Sequence, residues 1–461
     1  MGRASLILVI AFNLTFLILG SRLSRISGSA YEKYLAYTDI EQAAFSAESF
    51  ANIAISQTRM NSGAAIDSTQ QNSFNGGTYT ISRNNLGSNK YQLTINGTSA
   101  TGVNSTTWIT VGMASFSTYG MFSESEKING NPIYWISGDT CWGPLHTQDY
   151  LYVSGNPVFK GMVTTLKGVQ KQNSSDNPKF IGGYKQGVDV SLPSELTDAT
   201  TLGRSGGASA DYKGVDTYVQ FLANGHVIVR AAPIGTDPST VWGYTSSTSG
   251  TVSNGGPSVP KYQEFTSVSA LTSTNVFLVE GATLHVKGTL DGVITLGAID
   301  GKKTSGTAYA TGSSKVLIDS SIVYKDPPPS YQNPGNVSND LLGIVADNDI
   351  HIAVNAEINK SPQPKGITID GSILSRTGGF GADNYDTRAV GGNLHLVGGI
   401  QQSARDPVGT FSSGSIVSGF QKDYDYDTRL ITQAPPGYPP VTNYLVQNYN
   451  DNTIIPGSFW E

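Results

Sequence analysis

The chain has 461 residues, 53 of them glycine, with 14% charged side chains and a formal net charge of −6. Typical soluble domains carry about 25% charged residues and about 7% glycine, so this composition excludes a coiled coil, a long helical array and a highly charged disordered chain. The excess of Asp and Glu (35) over Lys and Arg (29) repels phosphates and argues against nucleic acid as a partner. What remains is the composition of a β-rich protein from outside the cytoplasm. The single cysteine, Cys141, permits no intramolecular disulfide and no cysteine-based zinc site. His146 lies close by, but Trp142, Gly143 and Pro144 intervene as a turn, so a buried, inert thiol is expected.

From Ala4 to Gly20 the chain reads ASLILVIAFNLTFLILG, apolar apart from Ser5, Asn13 and Thr15. About 17 apolar residues is the short end of what crosses a bilayer as a helix. Leu6, Ile7, Val9, Ile10, Phe12, Leu14, Phe16, Leu17, Ile18 and Leu19 are the candidate membrane- or filament-facing side chains. A hydroxyl such as Thr15 is tolerated there because it bonds back to the helix. A secretory signal would need a small-x-small cleavage site, which Gly20-Ser21-Arg22 supplies poorly. Beyond the run, Leu23, Ile26, Ala30, Tyr34, Tyr37, Ala44, Phe45, Ala51, Ile53 and Ala54 recur at helical spacing, with no proline before Pro132. One helix over residues 1–60 is expected, half membrane-embedded and half amphipathic. Arg3 before the span and Arg22 and Arg25 after it leave the positive-inside count close to a tie.

Met1-Gly2-Arg3-Ala4-Ser5-Leu6-Ile7, the apolar run, and Phe45 to Ala54 together resemble the N-terminal helix of type IV pilin-like proteins, PilX-like minor pilins in particular. The resemblance implies cleavage by a prepilin peptidase after Gly2, leaving Arg3 at the mature N-terminus. It also implies partners in the inner membrane and in other pilin-like subunits. Major pilins carry Glu at the fifth mature position, whereas this chain has Ile7, which points to a minor pilin or pseudopilin.

The remainder reads as strands. TYTIS (78–82), YQLTI (91–95) and TTWITV (106–111) alternate apolar and polar residues between Asn/Gly turns, so residues 61–130 are expected to form a small antiparallel sheet against the helix. Residues 131–430 form a β-rich domain. Within it VFLVEG, TLHVKG, VITLG, KVLID, GIVADNDIHIAV, GITIDGSIL and NLHLVGGI are short β-branched runs closed by Gly, Asp or Asn. Such runs predict an irregular parallel β-solenoid, with an antiparallel sandwich as the alternative. Residues 166–270 are less regular and read as an insertion, with a short helix near 194–202, a hairpin over 217–232 turned at Asn224-Gly225, and a low-complexity loop at 245–260. Residues 431–461 read as an extended tail. GPLHTQDYLYVSGNPVFKG (143–161), LLGIVADNDIHIA (341–353) and DYDYDTRLITQAPPGYPP (423–440) resemble uncharacterised bacterial envelope proteins of the DUF4900 type, a family with no assigned chemistry.

Chemistry is sparse. No G-x-S-x-G, P-loop, zinc-ligand cluster or dinucleotide fingerprint occurs. Of the five histidines, His226, His285, His351 and His395 alternate with apolar neighbours and are expected to face solvent; three stacked on one face would suit a metal. Asp423, Asp425 and Asp427 alternate as a candidate Ca²⁺ site, though without the Gly and Glu of an EF-hand loop. Asp347/Asp349 and Asp383/Asp386 are candidate paired carboxylates. Tyrosines in the tail suit contacts with glycans or proteins. The expectation is a non-enzymatic pilin-like envelope subunit with a structural or adhesive β domain and no cofactor beyond that possible Ca²⁺. The alternatives are a membrane-anchored β-helical enzyme acting on polysaccharide and a surface adhesin with an uncleaved anchor.

Overall fold

The computed structural model describes residues 2–60, 77–87, 90–207, 209–303, 305–310, 312–354, 366–412 and 415–451. The chain divides into two compact units, Met1–Ala114 with Thr442–Glu461, and Ser115–Val441.

In the first unit α1 (Gly2–Met60) runs unbroken for 59 residues, and Gly28 does not interrupt it. No proline removes a donor, and the hydroxyls of the apolar half bond back to the backbone, Thr15 to Ala11 O at 2.8 Å and Ser21 to Ile18 O at 2.9 Å. In the second half Ala43, Ser46, Ala47, Phe50, Ala51, Ala54 and Thr58 are buried, a stripe at helical spacing. It packs on an antiparallel sheet of β1 (Thr78–Gly87), β2 (Lys90–Thr98) and β3 (Asn104–Ser115), through Leu93, Ile95, Ile109 and Val111. The stripe is mostly alanine because the backbones nearly touch: a Cβ on Gly97 would lie 2.5 Å from Ala43 O. Phe45 and Ile53, expected in the stripe, are instead exposed (61% and 43%).

A fourth strand, Pro440–Asp451, flanks β3. The sheet therefore ends its first run at Ser115 rather than near 130, and much of the expected tail is a strand. Residues 61–76 and the terminal Phe459-Trp460 lie outside the described residues.

The second unit is a parallel β-solenoid, as the short, turn-bounded runs require. In each coil, alternate side chains point inward and stack on those of the next coil. The strands pair in parallel across successive coils: Val276–Glu280 with Val293–Ile299, then Leu341–Ala346, then the end of Ile367–Ser375, then the end of Asn393–Ala404. The next rung is not the next segment in the chain. It is β4 (Met121–Ser125), which pairs in parallel with Asn393–Ala404 (Ile400 opposite Met121, Gln402 opposite Ser123), and is followed by Leu145–Thr147, Val163–Thr165 and Tyr184–Gln186. One inward column runs through this junction: Leu296, Ile344, Ile373, Ile400, Met121, Leu145 and Val163. The chain thus enters the stack in its middle and winds to one end. It then crosses to the other end at Asp211–Lys213 and winds back to meet its own first coil.

These pairings relocate the expected insertion. Gly168–Lys171, Lys179–Phe180, Tyr184–Gln186, Asp211–Lys213 and Asp216–Phe221 belong to the solenoid. The crossing segment carries the helix Thr197–Ser205, packed so closely that a Cβ on Gly203 would meet the Leu278 side chain at 2.2 Å. The lateral part is the hairpin of Asp216–Phe221 with Val227–Ala232, turned at Gly225 (φ 86°), and the strand Tyr262–Phe265 beside it. Within the expected 245–260 loop, Thr251–Val252 pairs with Val259–Pro260. The misreading has a physical source: two- and three-residue rungs such as Lys179–Phe180 are too short to carry a hydrophobic period.

The junction is held by more than its ladder. Arg405 Nη1 donates to Glu126 Oε2 at 2.8 Å, with both side chains buried, and the Ser123 hydroxyl donates to the same carboxylate. The Arg405 guanidinium also lies 4.5 Å from the centre of the Trp135 ring. Removing one member of a buried pair strands the other charge, at a cost of about 3–5 kcal/mol. Glu126→Ala is expected to lower unfolding free energy by about that amount in chemical denaturation. A loss under about 1 kcal/mol would mean that Arg405 reaches water once its partner is gone.

Candidate functional site

Among the described residues, nothing covers the large apolar side chains in the first half of α1. All eleven large apolar residues from Leu6 to Leu19, including every one named above as facing membrane or filament, are between 49% and 73% exposed. Arg3 and Gly2 belong to the same continuous helix. By length and composition this is a helix able to cross a membrane, compatible with an anchor and with a signal sequence.

The acidic triplet is not gathered. Asp423 and Asp425 lie on the strand Gln421–Asp425, but the strand ends there and the alternation is broken. Asp423 pairs with His395 Nδ1 at 2.9 Å. Asp425 is buried and accepts the amides of Tyr426 and Gln332. Asp427 caps the 3-10 turn Thr428–Ile431 and binds the Arg429 guanidinium at 3.0 and 2.7 Å. Three carboxylates with three separate partners do not form the shared cation site that alternation predicted.

The histidines also depart from expectation. His285 and His351 are two coils apart in register, through Leu317, while His395 is on a different ladder, opposite Thr368 and Asp423. His285 is buried rather than solvent-facing. The hairpin and the short helix Pro238–Trp242 cover it, so that its ring stacks on Tyr218 and its Nδ1 donates to Asp319 at 2.9 Å, beside the Trp242 indole (2.6 Å). His226 is partly exposed and pairs with Glu264 at 2.7 Å. Cys141 is buried, and burial pushes its thiol up to about 12, the inert state expected of it.

One cluster does converge on the outside of the solenoid. Ile350 and Ile352 point into the core, so His351 between them points out. Its Nδ1 donates to Asp383 Oδ1 at 2.8 Å, and its Nε2 faces Asp406 Oδ2 at 3.2 Å. Asp349, two residues before it, accepts the Gly379 amide at 3.2 Å. Burial alone would lower the basicity of this imidazole, but the bonds to Asp383 and Asp406 outweigh it and raise its pKa to about 9. Asp383 is desolvated yet held below its ordinary value by the same histidine. Of the carboxylates singled out in sequence, Asp349 and Asp383 are brought together. Asp347 is buried against Arg376, and Asp386 is exposed. Sequence reasoning missed Asp406 because the three acids come from three successive coils, with no fixed spacing to betray them. The available signal was only that each lies within two residues of a strand end.

Among the described residues, the fold comprises one membrane-length apolar helix, an antiparallel sheet and a β-solenoid. Residues 83–167 match the family model of a domain of unknown function (DUF4900), a stretch running from β1 through the first solenoid coils. Of the three stretches that resembled this family in sequence, 143–161 falls inside the match. No curated protein and no solved structure matches the chain.

His146 sits at the junction coil, fully buried and stacked on Phe122. Its Nε2 faces Gln148 Oε1 at 3.3 Å and its Nδ1 faces the Thr164 hydroxyl at 2.7 Å, a pairing that suits the neutral ring. Burial pulls its pKa down to about 4, from an ordinary 6.5. The unfolded chain therefore takes up the proton first as pH falls. The contribution of His146 to stability is full above pH 6.5 and is lost down to about pH 4, by about 3 kcal/mol. His146→Gln is expected to flatten this part of the stability-versus-pH curve; an unchanged slope would assign the acid sensitivity to other groups.

Proposed function

We propose that the protein is a pilin-like subunit of the bacterial envelope. In this reading the apolar half of α1 anchors it in the inner membrane, and the solenoid serves a structural or adhesive role without catalysis. The observation that carries the reading is the division of labour within one unbroken helix. Residues 43–58 are locked on a four-stranded sheet, while residues 6–19 expose eleven large apolar side chains. Each of these, left in water, forfeits about 1.5–3 kcal/mol, so lipid or other apolar helices are the environments that suit the segment. Assembly would move these faces from lipid into a bundle of like helices held by close packing. The exposed Phe45 and Ile53 would extend that contact beyond the membrane. Ile7, in place of the family's Glu, favours a minor subunit. Partners are then other pilin-like subunits, with glycans or proteins of a surface as ligands of the solenoid.

A second reading, an anchored enzyme acting on polysaccharide, is favoured by Asp349, Asp383 and Asp406 sharing one outward face. Against it, Asp383 and Asp406 are both engaged by His351 rather than flanking an open cleft.

The N-terminal peptide mass of native protein tests the proposal. A chain starting at Arg3, above all if N-methylated, supports prepilin processing, whereas one starting at Met1 rejects it in favour of an uncleaved anchor. Ile10→Arg with Leu14→Arg puts two charges near the centre of the span, each costing about 2.5–3.5 kcal/mol there. The variant is expected to leave the membrane fraction and stay folded in its solenoid. Retention in the membrane would sink the anchor reading.

A further inference from the structure

The cluster around His351 is built more elaborately than an ion pair requires. The ligand-type atoms of Asp349, His351 and Asp406 lie within 4.8 Å of one another. Two bonds of about 2.0–2.1 Å meeting at a tetrahedral angle put their donor atoms roughly 3.3 Å apart, and His351 Nε2 and Asp406 Oδ2 are 3.2 Å apart. The other ring nitrogen is bonded to Asp383, the arrangement in which a carboxylate fixes the tautomer and orientation of a metal-binding imidazole.

The floor of the cluster is the segment Gly378-Gly379-Phe380-Gly381, and its three glycines have no conformational reason to be there: none has a positive φ. Their reason is space. A Cβ on Gly378 would meet Asp349 Oδ1 at 2.0 Å, one on Gly379 would meet Ala404 O at 2.6 Å and Asp406 Oδ2 at 2.7 Å, and one on Gly381 would lie 3.0 Å from both the Asp406 Cβ and Pro407 O and 3.3 Å from His351 Nε2. The backbone lacks side chains where the three donors and the neighbouring coil converge on it. The two ring nitrogens already face Asp383 and Asp406, and Asp349 brings a third carboxylate within 4.8 Å of His351 and Asp406.

We infer that Asp349, His351 and Asp406 bind a divalent transition-metal ion of the zinc class, with Asp383 orienting His351. The mixed nitrogen and oxygen donors select this class over Ca²⁺, which takes oxygen ligands throughout. His351 and Asp406 are 23% and 30% exposed, so the ion enters from solvent. Asp349 and His351 belong to one coil, Asp383 to the next, and Asp406 to the one after, where Ala382 N bonds Pro407 O. The ion and its orienting acid therefore clip three consecutive coils.

The test is titration of the detergent-solubilised full chain with ZnCl₂, read by calorimetry and by melting temperature, together with the visible d–d absorption of Co²⁺. Wild type is expected to bind one ion at this site, to melt higher as free Zn²⁺ rises, and to give the intense bands of low-symmetry Co²⁺. His351→Ala and Asp406→Asn should lose binding by about 100-fold or more, Asp383→Asn by about 10–100-fold, and Gly381→Ala should weaken it by crowding the donors. Melting without metal checks that each variant is folded. The Co²⁺ spectrum of wild type stands even where a variant is not. The inference is overturned if millimolar ZnCl₂ changes neither heat nor melting, if folded His351→Ala binds as tightly as wild type, or if Ca²⁺ binds and Zn²⁺ does not.

Discussion

The structure depends on one backbone ladder, the parallel pairing of Asn393–Ala404 with β4. A solenoid coil cannot satisfy its own strand hydrogen bonds; each needs a neighbour above and below. The coils that start at β4 would expose an unpaired edge, and so would the end of the long run from Asp211 to Asp425. Each is the other's cap. The aliphatic column passes through the seam from Ile373 to Ile400 to Met121 to Leu145 without a change of chemistry. Glu126 and Arg405, buried against each other, fix its register, since a slip of one residue would turn both charges to the wrong side.

In chain order, Ser115–Val441 comes between the third and fourth strands of a small sheet. Its two ends meet: the amide of Phe116 donates to Pro439 O at 3.0 Å. An insertion whose termini are adjacent asks nothing of its host beyond a longer connection, and loop-closure entropy rises only slowly with length. In the solenoid itself, the segment between Tyr184–Gln186 and Asp211–Lys213 crosses from one end to the other, and within it Gly203 lets the helix Thr197–Ser205 lie directly on Leu278.

Much of the architecture was legible in sequence because it is written locally. The apolar run of α1, the three alternating strands after it and the Gly- and Asn-closed β-branched runs from Val276 onward each carry their own period, and each formed the element they announced. What was not legible is partner choice over long range. Nothing in MFSES marks it as the successor of Asn393–Ala404. The same limit governs the sites. Asp423, Asp425 and Asp427 looked like a set because they are near in sequence, but the strand ends between them and each finds a different partner. Asp349, Asp383 and Asp406 looked unrelated, and the winding of the solenoid brings them together. His285 was assigned to solvent by alternation, which sees the strand and not the hairpin laid over it.

The seam has a consequence for biogenesis. Glu126 and Arg405 are 279 residues apart, so β4 and the coils it begins are made long before the strand that must cap them. Until then they are short rungs with an open edge, and burying them must wait for a distant partner, which slows folding and leaves the edge prone to mispairing. The run from Asp211 to Asp425, by contrast, can wind coil on coil as it emerges. The seam itself closes only after Asn393–Ala404 has been made, whichever run winds first. A chain built this way completes its fold only when nearly all of it has been made and lies in one compartment.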